Sequence, residues 1–138
     1  MEQKILEPSA EDLERINEQL AIAEEIVKAN YPEVTLEYNQ ADLMWLQRIL
    51  DDGILQATQT YELQSLGLAF GQIIANQTQF RWVTVEDEYG CDPALKYADT
   101  EIMLFPLTMI SKRVEQGKKV DLVDMFEWVQ EQIEMLSG

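Results

Sequence analysis

Phe80–Arg113 reads FRWVTVEDEYGCDPALKYADTEIMLFPLTMISKR, and it breaks the period of a chain otherwise patterned for helices. At its start Phe80, Trp82 and Thr84 point one way and Arg81, Val83 and Val85 the other, in a run rich in aromatic and β-branched side chains. That alternation predicts a strand. Glu88-Tyr89-Gly90-Cys91 signals a turn with Cys91 at its apex, and a second strand through Ala94–Tyr97 is expected to return antiparallel to the first. Ala98-Asp99-Thr100 makes the next turn and Glu101–Phe105 a third strand. Pro106 then opens a helix, because its missing N–H is unneeded at the first helical position. That helix carries Leu107, Ile110 and Val114 to a glycine stop at Gly117.

Downstream, Asp121 and Asp124 form a capping pair and Val120 and Met125 occupy the positions of a hydrophobic staple. Leu122, Met125, Val129, Ile133 and Leu136 are the stripe of a last helix. Upstream, Ser9 caps a first helix with Leu13, Ile16, Leu20, Ala23 and Val27 on one face, and it ends near Asn30 because Tyr31 precedes Pro32. Asn39 with Asp42 starts a shorter helix bearing Leu43, Leu46, Ile49 and Leu50, which ends at Asp52-Gly53. A third helix is expected from Thr58 to Asn76, with Leu63, Leu66, Phe70, Ile73 and Ile74 inward. Gly67 and Gly71 lie four apart on it, each at a cost of ~1 kcal/mol of helix propensity. Such a pair implies that another backbone, from the sheet or the first helix, packs closely there. The fold class is therefore α+β, one domain over residues 1–138: three N-terminal helices, a small three-stranded antiparallel sheet, then two C-terminal helices.

The 138 residues carry 26 acidic and 10 basic side chains and no histidine, a formal charge of −16. This balance argues against nucleic acid and anionic membrane as partners, since both need a basic surface. It suits solubility, a cation, or a basic protein partner. One cysteine, Cys91, excludes an internal disulfide and a multi-cysteine zinc site, and the carboxylates around it disfavour a reactive thiolate. No apolar run approaches the ~20 residues of a membrane span, and the first residues lack a signal peptide's apolar segment, so a cytoplasmic location is the expectation.

The polar chemistry of the chain is concentrated in its central stretch. Glu86, Asp87, Glu88 and Asp92 cluster at the first hairpin turn, where they serve as solvated turn residues or hold a hard cation. Glu86 with Asp92 is a conceivable acid/base pair. Lys112 and Arg113, adjacent cations in an acidic chain, are positioned to neutralise Glu86, Asp87 or Glu101, or to receive an anion. Trp82, Phe105 and Met109 read as core. Trp45 and Trp128 lie beside the stripes of their helices, at the edge of the core or as anchors for a partner's pocket.

Three segments together carry a family resemblance: Leu66-Gly67-Leu68-Ala69-Phe70-Gly71, Trp82 through Gly90 (WVTVEDEYG), and Phe105 through Arg113 (FPLTMISKR). The chain resembles, over about residues 63–135, the bacterial family catalogued as domain of unknown function 3806. The resemblance implies a small soluble domain and marks Trp82, Glu86, Asp87, Tyr89, Gly90, Pro106, Lys112 and Arg113 as positions that match its pattern. It brings no activity with it.

No cofactor, resident metal or catalytic residue is expected. The leading functional reading is a non-enzymatic acidic module, monomer or homodimer, that binds a basic protein, by analogy with toxin-neutralising immunity proteins whose charge steers association. The alternative is a small-ligand-binding or hydrolytic domain that uses Glu86, Asp87, Glu88 and Tyr89 with Trp82, Lys112 and Arg113. The two separate on geometry: a ligand site requires Glu86, Asp87, Lys112 and Arg113 to converge on one cavity.

Overall fold

The computed structural model of the protein describes residues 3–137 and places an antiparallel sheet against a layer of helices. Strand β1 (Lys4–Leu6) precedes α1 (Ala10–Asn30); a single 3-10 turn at Gln40–Asp42 leads into α2 (Leu43–Asp51), and α3 (Thr60–Gln77) follows. The hairpin β2 (Phe80–Asp87) and β3 (Gly90–Tyr97) continues to β4 (Met103–Leu104), α4 (Pro106–Met109), α5 (Ser111–Glu115) and α6 (Leu122–Ser137). Among the described residues, no helix is long and apolar enough to cross a membrane.

The mixed class is as expected, but the sheet has four strands in the order β1-β2-β3-β4 rather than three. β1 was invisible to pattern reading because three residues hold no period. It pairs Lys4 with Glu86, Ile5 with Val85 and Leu6 with Thr84, and the Arg81–Glu7 ion pair at 2.7 Å ties the residue after it to β2. β3 begins at Gly90, earlier than expected: Asp87 pairs with Gly90 across a two-residue turn, and Cys91 lies in the strand opposite Glu86 rather than at the apex. Pro93 is tolerated in β3 because β4 pairs only with Leu95 and Lys96, leaving Pro93 without a neighbour on that side. β4 is two residues long, shorter than the expected Glu101–Phe105, since Thr100 and Ile102 bond back to Tyr97 and Phe105 must leave the sheet to start α4.

The proline-opened helix also departs from expectation. It is interrupted at Ile110, so the C-terminal part holds three helical segments instead of two. Its stop is as predicted: Gly117 adopts φ +70°, and the N–H groups of Gly117 and Lys118 bond back to Val114 and Arg113, a left-handed cap that satisfies the last carbonyls. At the other end of the chain Ser9 and Asp12 cap α1 reciprocally, at 3.0 and 2.9 Å. Asp42 is buried, and its carboxylate accepts from the N–H groups of Glu37 and Tyr38 at 2.7 and 2.8 Å, which pins the loop ahead of α2.

α3 lies at the centre, against α1, α2, α4, α5 and β2. Leu63, Leu66, Phe70, Ile73 and Ile74 on it are almost wholly buried, and from the sheet Phe80 and Leu95 close the same core. The opposite face of β2 and β3 buries a second, smaller cluster of Val83, Val85 and Ala94, with Met103 packed against it.

The close neighbour implied by Gly67 and Gly71 is not the first helix: it is chiefly the backbone and ring of Pro106. A Cβ at Gly67 would stand 2.3 Å from the Pro106 carbonyl oxygen; one at Gly71 would meet the Pro106 ring at 2.7 Å and the Trp82 indole at 3.0 Å. Gly67→Ala therefore reverses the usual gain of ~1 kcal/mol from replacing a helical glycine. Because the clash is with backbone, the variant should unfold with a net loss of about 2–3 kcal/mol in urea titration followed by circular dichroism. A neutral or stabilised variant would show that α4 is free to move off α3.

Candidate functional site

The residues marked as a candidate cluster by the sequence fall in two places. Glu86, Asp87, Glu88 and Tyr89 belong to the β2–β3 turn, where Gly90 supplies the positive φ of +126° and the Asp87 carboxylate accepts from the Tyr89 N–H at 2.8 Å. This is a side chain satisfying its own turn. Tyr89 is 90% exposed. Among the described residues no three carboxylate or thiol groups come together in a set that could hold a metal ion. Trp82 lies apart from the turn's apex, its indole N–H donating to the Gln72 side chain at 2.9 Å, with the ring against Gly71.

Lys112 and Arg113 stand elsewhere, on α5. They line a cleft of about 520 Å³ formed by β4, α4 and α5 on one side and α6 on the other. Glu86 and Asp87 do not line it, so the convergence that a joint ligand site requires is not formed. The expected ion pairs with Glu86, Asp87 or Glu101 are not formed either; among the described residues the ion pairs are Arg15–Asp12 and Arg81–Glu7. Arg113 instead donates to the Met109 carbonyl at 2.8 Å, which orients its guanidinium along α5.

The cleft walls are mostly apolar. Met103 and Phe105 come from β4 and its end, Met109 from α4, and Met125 and Trp128 from α6. Phe105 is 38% exposed and Trp128 50%, so Phe105 is not the core residue its strand position suggests, and Trp128 is the more open of the two edge tryptophans. Trp45, by contrast, is the edge-of-core residue expected, with its ring 5.3 Å from that of Tyr31 and the Arg48 guanidinium 5.3 Å from its centroid. The methionines were missed because each sits at ordinary core spacing in its own element; only the offset of Trp128 from its stripe signalled a wall.

α6 is held in place by a side chain that no sequence pattern singles out. Gln47 of α2 donates to the Val120 carbonyl at 2.9 Å and accepts from the Leu122 N–H at 2.8 Å, satisfying both groups at the helix entrance. The opposite end of the sheet has a smaller and more polar cleft, about 190 Å³, lined by Asp12, Arg15, Gln19, Thr84, Cys91 and Asp92 among others. Its hydrogen bonds are structural. Asp12 accepts from the Ser9 N–H and the Thr84 hydroxyl and pairs with Arg15, joining α1 to β2.

A family model described as domain of unknown function (DUF3806) matches residues 42–126. The match begins upstream of the expected stretch, ends before it does, and takes in all of the cleft except Trp128; β1 and α1, with Asp12, Arg15 and Gln19, lie outside it, while Thr84, Cys91 and Asp92 of the smaller cleft lie within. A crystal structure from Bacteroides thetaiotaomicron is similar with a TM-score of 0.87 at 17% identity, over 96% of this chain and 48% of that one. The likeness is one of fold, and the chain spans about half the length of that solved protein. No curated protein matches the chain.

The Asp12 carboxyl is lowered from the usual 3.8 to about 2, first by the Ser9 backbone N–H and then by the Thr84 hydroxyl, with smaller help from the Ser9 and Arg15 side chains. A carboxyl depressed in the folded state adds stability above its unfolded pKa, and that stability is lost as pH falls through the folded value. Discounted for the solvent that still reaches this group, Asp12→Asn should cost about 1 kcal/mol at neutral pH. The gap between wild type and variant should close between pH 4 and pH 2 in acid unfolding. A gap that stays constant across that range would assign the loss to packing instead.

Proposed function

We propose a protein-binding role for this chain, which belongs to the family described as domain of unknown function DUF3806. The reading is of a non-enzymatic module that docks a partner through the cleft between α4–α5 and α6. The observation that carries it is the open apolar wall: Phe105 and Trp128 are large side chains left 38% and 50% in solvent, flanked by Met103, Met109 and Met125. Aromatic side chains at the mouth of a cleft are favoured anchors, and methionine walls adapt to the shape of what enters.

The formal charge of −16 supports a basic partner, since a field of one sign raises the association rate of an oppositely charged protein. In this reading the charge brings the partner in and the cleft fixes its position. The hairpin-turn carboxylates contribute to the field rather than forming a site.

Capture from lysate of the native host, with wild type and Trp128→Ala immobilised in parallel, tests the reading. The expected result is one stoichiometric protein kept by wild type through a wash at about 0.3 M salt, where screening is short-ranged, and lost from the variant by a factor of about 30. A partner held equally by both would move binding off the cleft. No retained partner at either wash would remove the binding role.

A further inference from the structure

The charge at the cleft is opposite in sign to that of the chain as a whole. Only 10 of 138 side chains are cationic, yet Lys112 and Arg113 stand side by side on its α5 wall. Lack of an ion pair does not set them apart, since most cations here make none. Their position does: they flank Phe105, Met109 and Trp128, where a desolvated anion would be held more strongly than on the open surface. One carboxylate, Asp124, lines the α6 side, so the cation excess at the mouth is a single charge.

The apolar surface also has a direction. Beyond Trp128 on α6, Met135 is 74% exposed and seven residues on, which returns it to nearly the same side of the helix. Met125, Trp128 and Met135 thus mark a strip about 15 Å long at the helical rise of about 1.5 Å per residue, interrupted between Trp128 and Met135 by Glu131 and Gln132. A compact ligand would occupy the cleft and leave the strip bare. An extended or helical segment covers both.

We infer that the cleft receives an amphipathic peptide segment of the partner protein, with bulky apolar residues against Phe105, Trp128 and the methionines and an Asp or Glu carboxylate against Lys112 and Arg113. The inference rests on the binding role proposed above and deepens it. A segment of this kind carries the reverse of the charge that the rest of the acidic surface attracts, so the two cations fix its register and reject a basic segment from the cleft itself.

The test selects random peptides of about twelve residues on the immobilised full chain, then measures individual peptides by fluorescence anisotropy. The proteins compared are wild type, the charge-reversed Lys112→Glu/Arg113→Glu and Trp128→Ala, each first checked for an unchanged helical spectrum. The expected peptides join two or more bulky apolar residues to an Asp or Glu. Charge reversal should weaken them about tenfold, and replacing their acid with Lys should restore binding to the reversed protein while weakening it to wild type, the coupling that a double-mutant cycle reads. Because Lys112 is exposed and Arg113 half-buried on a surface helix, the reversed protein should remain folded.

Peptides that need Trp128 but are basic, or indifferent to the reversal, would overturn the carboxylate assignment and leave the binding role standing. Failure to select any peptide that depends on Trp128 would remove both. Dodecanoate, run as a separate probe, discriminates a small amphiphile: if it binds with the same dependence on Trp128 and Lys112/Arg113 while no peptide does, both readings are overturned.

Discussion

The arrangement depends on the seat that α3 offers to Pro106. Two glycines spaced four apart remove the side chains that would hold the next element away, and the Pro106 carbonyl and ring fill the vacated space at distances no Cβ could share. The cost in helix propensity is real, so α3 holds together through its burial: Leu66, Phe70 and Ile74 around the glycines are fully inside. Once Pro106 is seated, Phe105 must leave the sheet, β4 is limited to two residues, and α4 and α5 run on from a fixed origin. One wall of the cleft is thus set by a backbone contact rather than by side-chain packing, which leaves little slack in its position.

The other wall is held independently. α6 buries Leu122, Phe126 and Val129, and its entrance is fastened to α2 by the Gln47 amide. α5 and α6 are joined in sequence through Gly117 and the segment that follows, but their placement comes from different partners, α3 for one and α2 for the other. A groove between two separately anchored helices can be lined by half-buried methionines and an exposed tryptophan without loss of the fold, because each wall has its own packing partner. That separation of stability from surface is what permits the apolar opening.

Much of the fold could be read from the chain because its strongest signals are local and physically over-determined. Ser9 and Asp12 cap α1 as a reciprocal pair, Gly117 takes the left-handed conformation its position predicts, and the alternation in Phe80–Val85 does place Phe80 and Trp82 against one cluster and Val83 and Val85 against another. What could not be read was non-local or too short to have a period. β1 exists because Ile5 and Leu6 find an edge 80 and 78 positions away, and nothing in three residues announces that. The glycine pair signalled a close neighbour but not which one, since sequence shows that a backbone must approach and not whose. The cleft was hidden for the same reason. Met103, Met109 and Met125 each look like core in their own element and do pack against it, and only the relative placement of three elements leaves one side of each lining a cleft.

The hairpin turn and the cleft also differ in how their charges are used. At the turn, Asp87 is engaged by its own backbone and Tyr89 stands free at the apex, so the acidic residues there complete a local structure that water can solvate. At the cleft, Arg113 is braced on the Met109 carbonyl and its neighbour Lys112 is exposed, with apolar walls beside both. A charge at a solvated turn gains little from an incoming group because water already screens it. A charge beside a surface that is dehydrated on binding gains more, since the same partner that covers the methionines also removes the screening. Charge density alone drew attention to the acidic turn, but the energetic difference lies in what surrounds the charge, and this favours the two cations over the carboxylates that outnumber them.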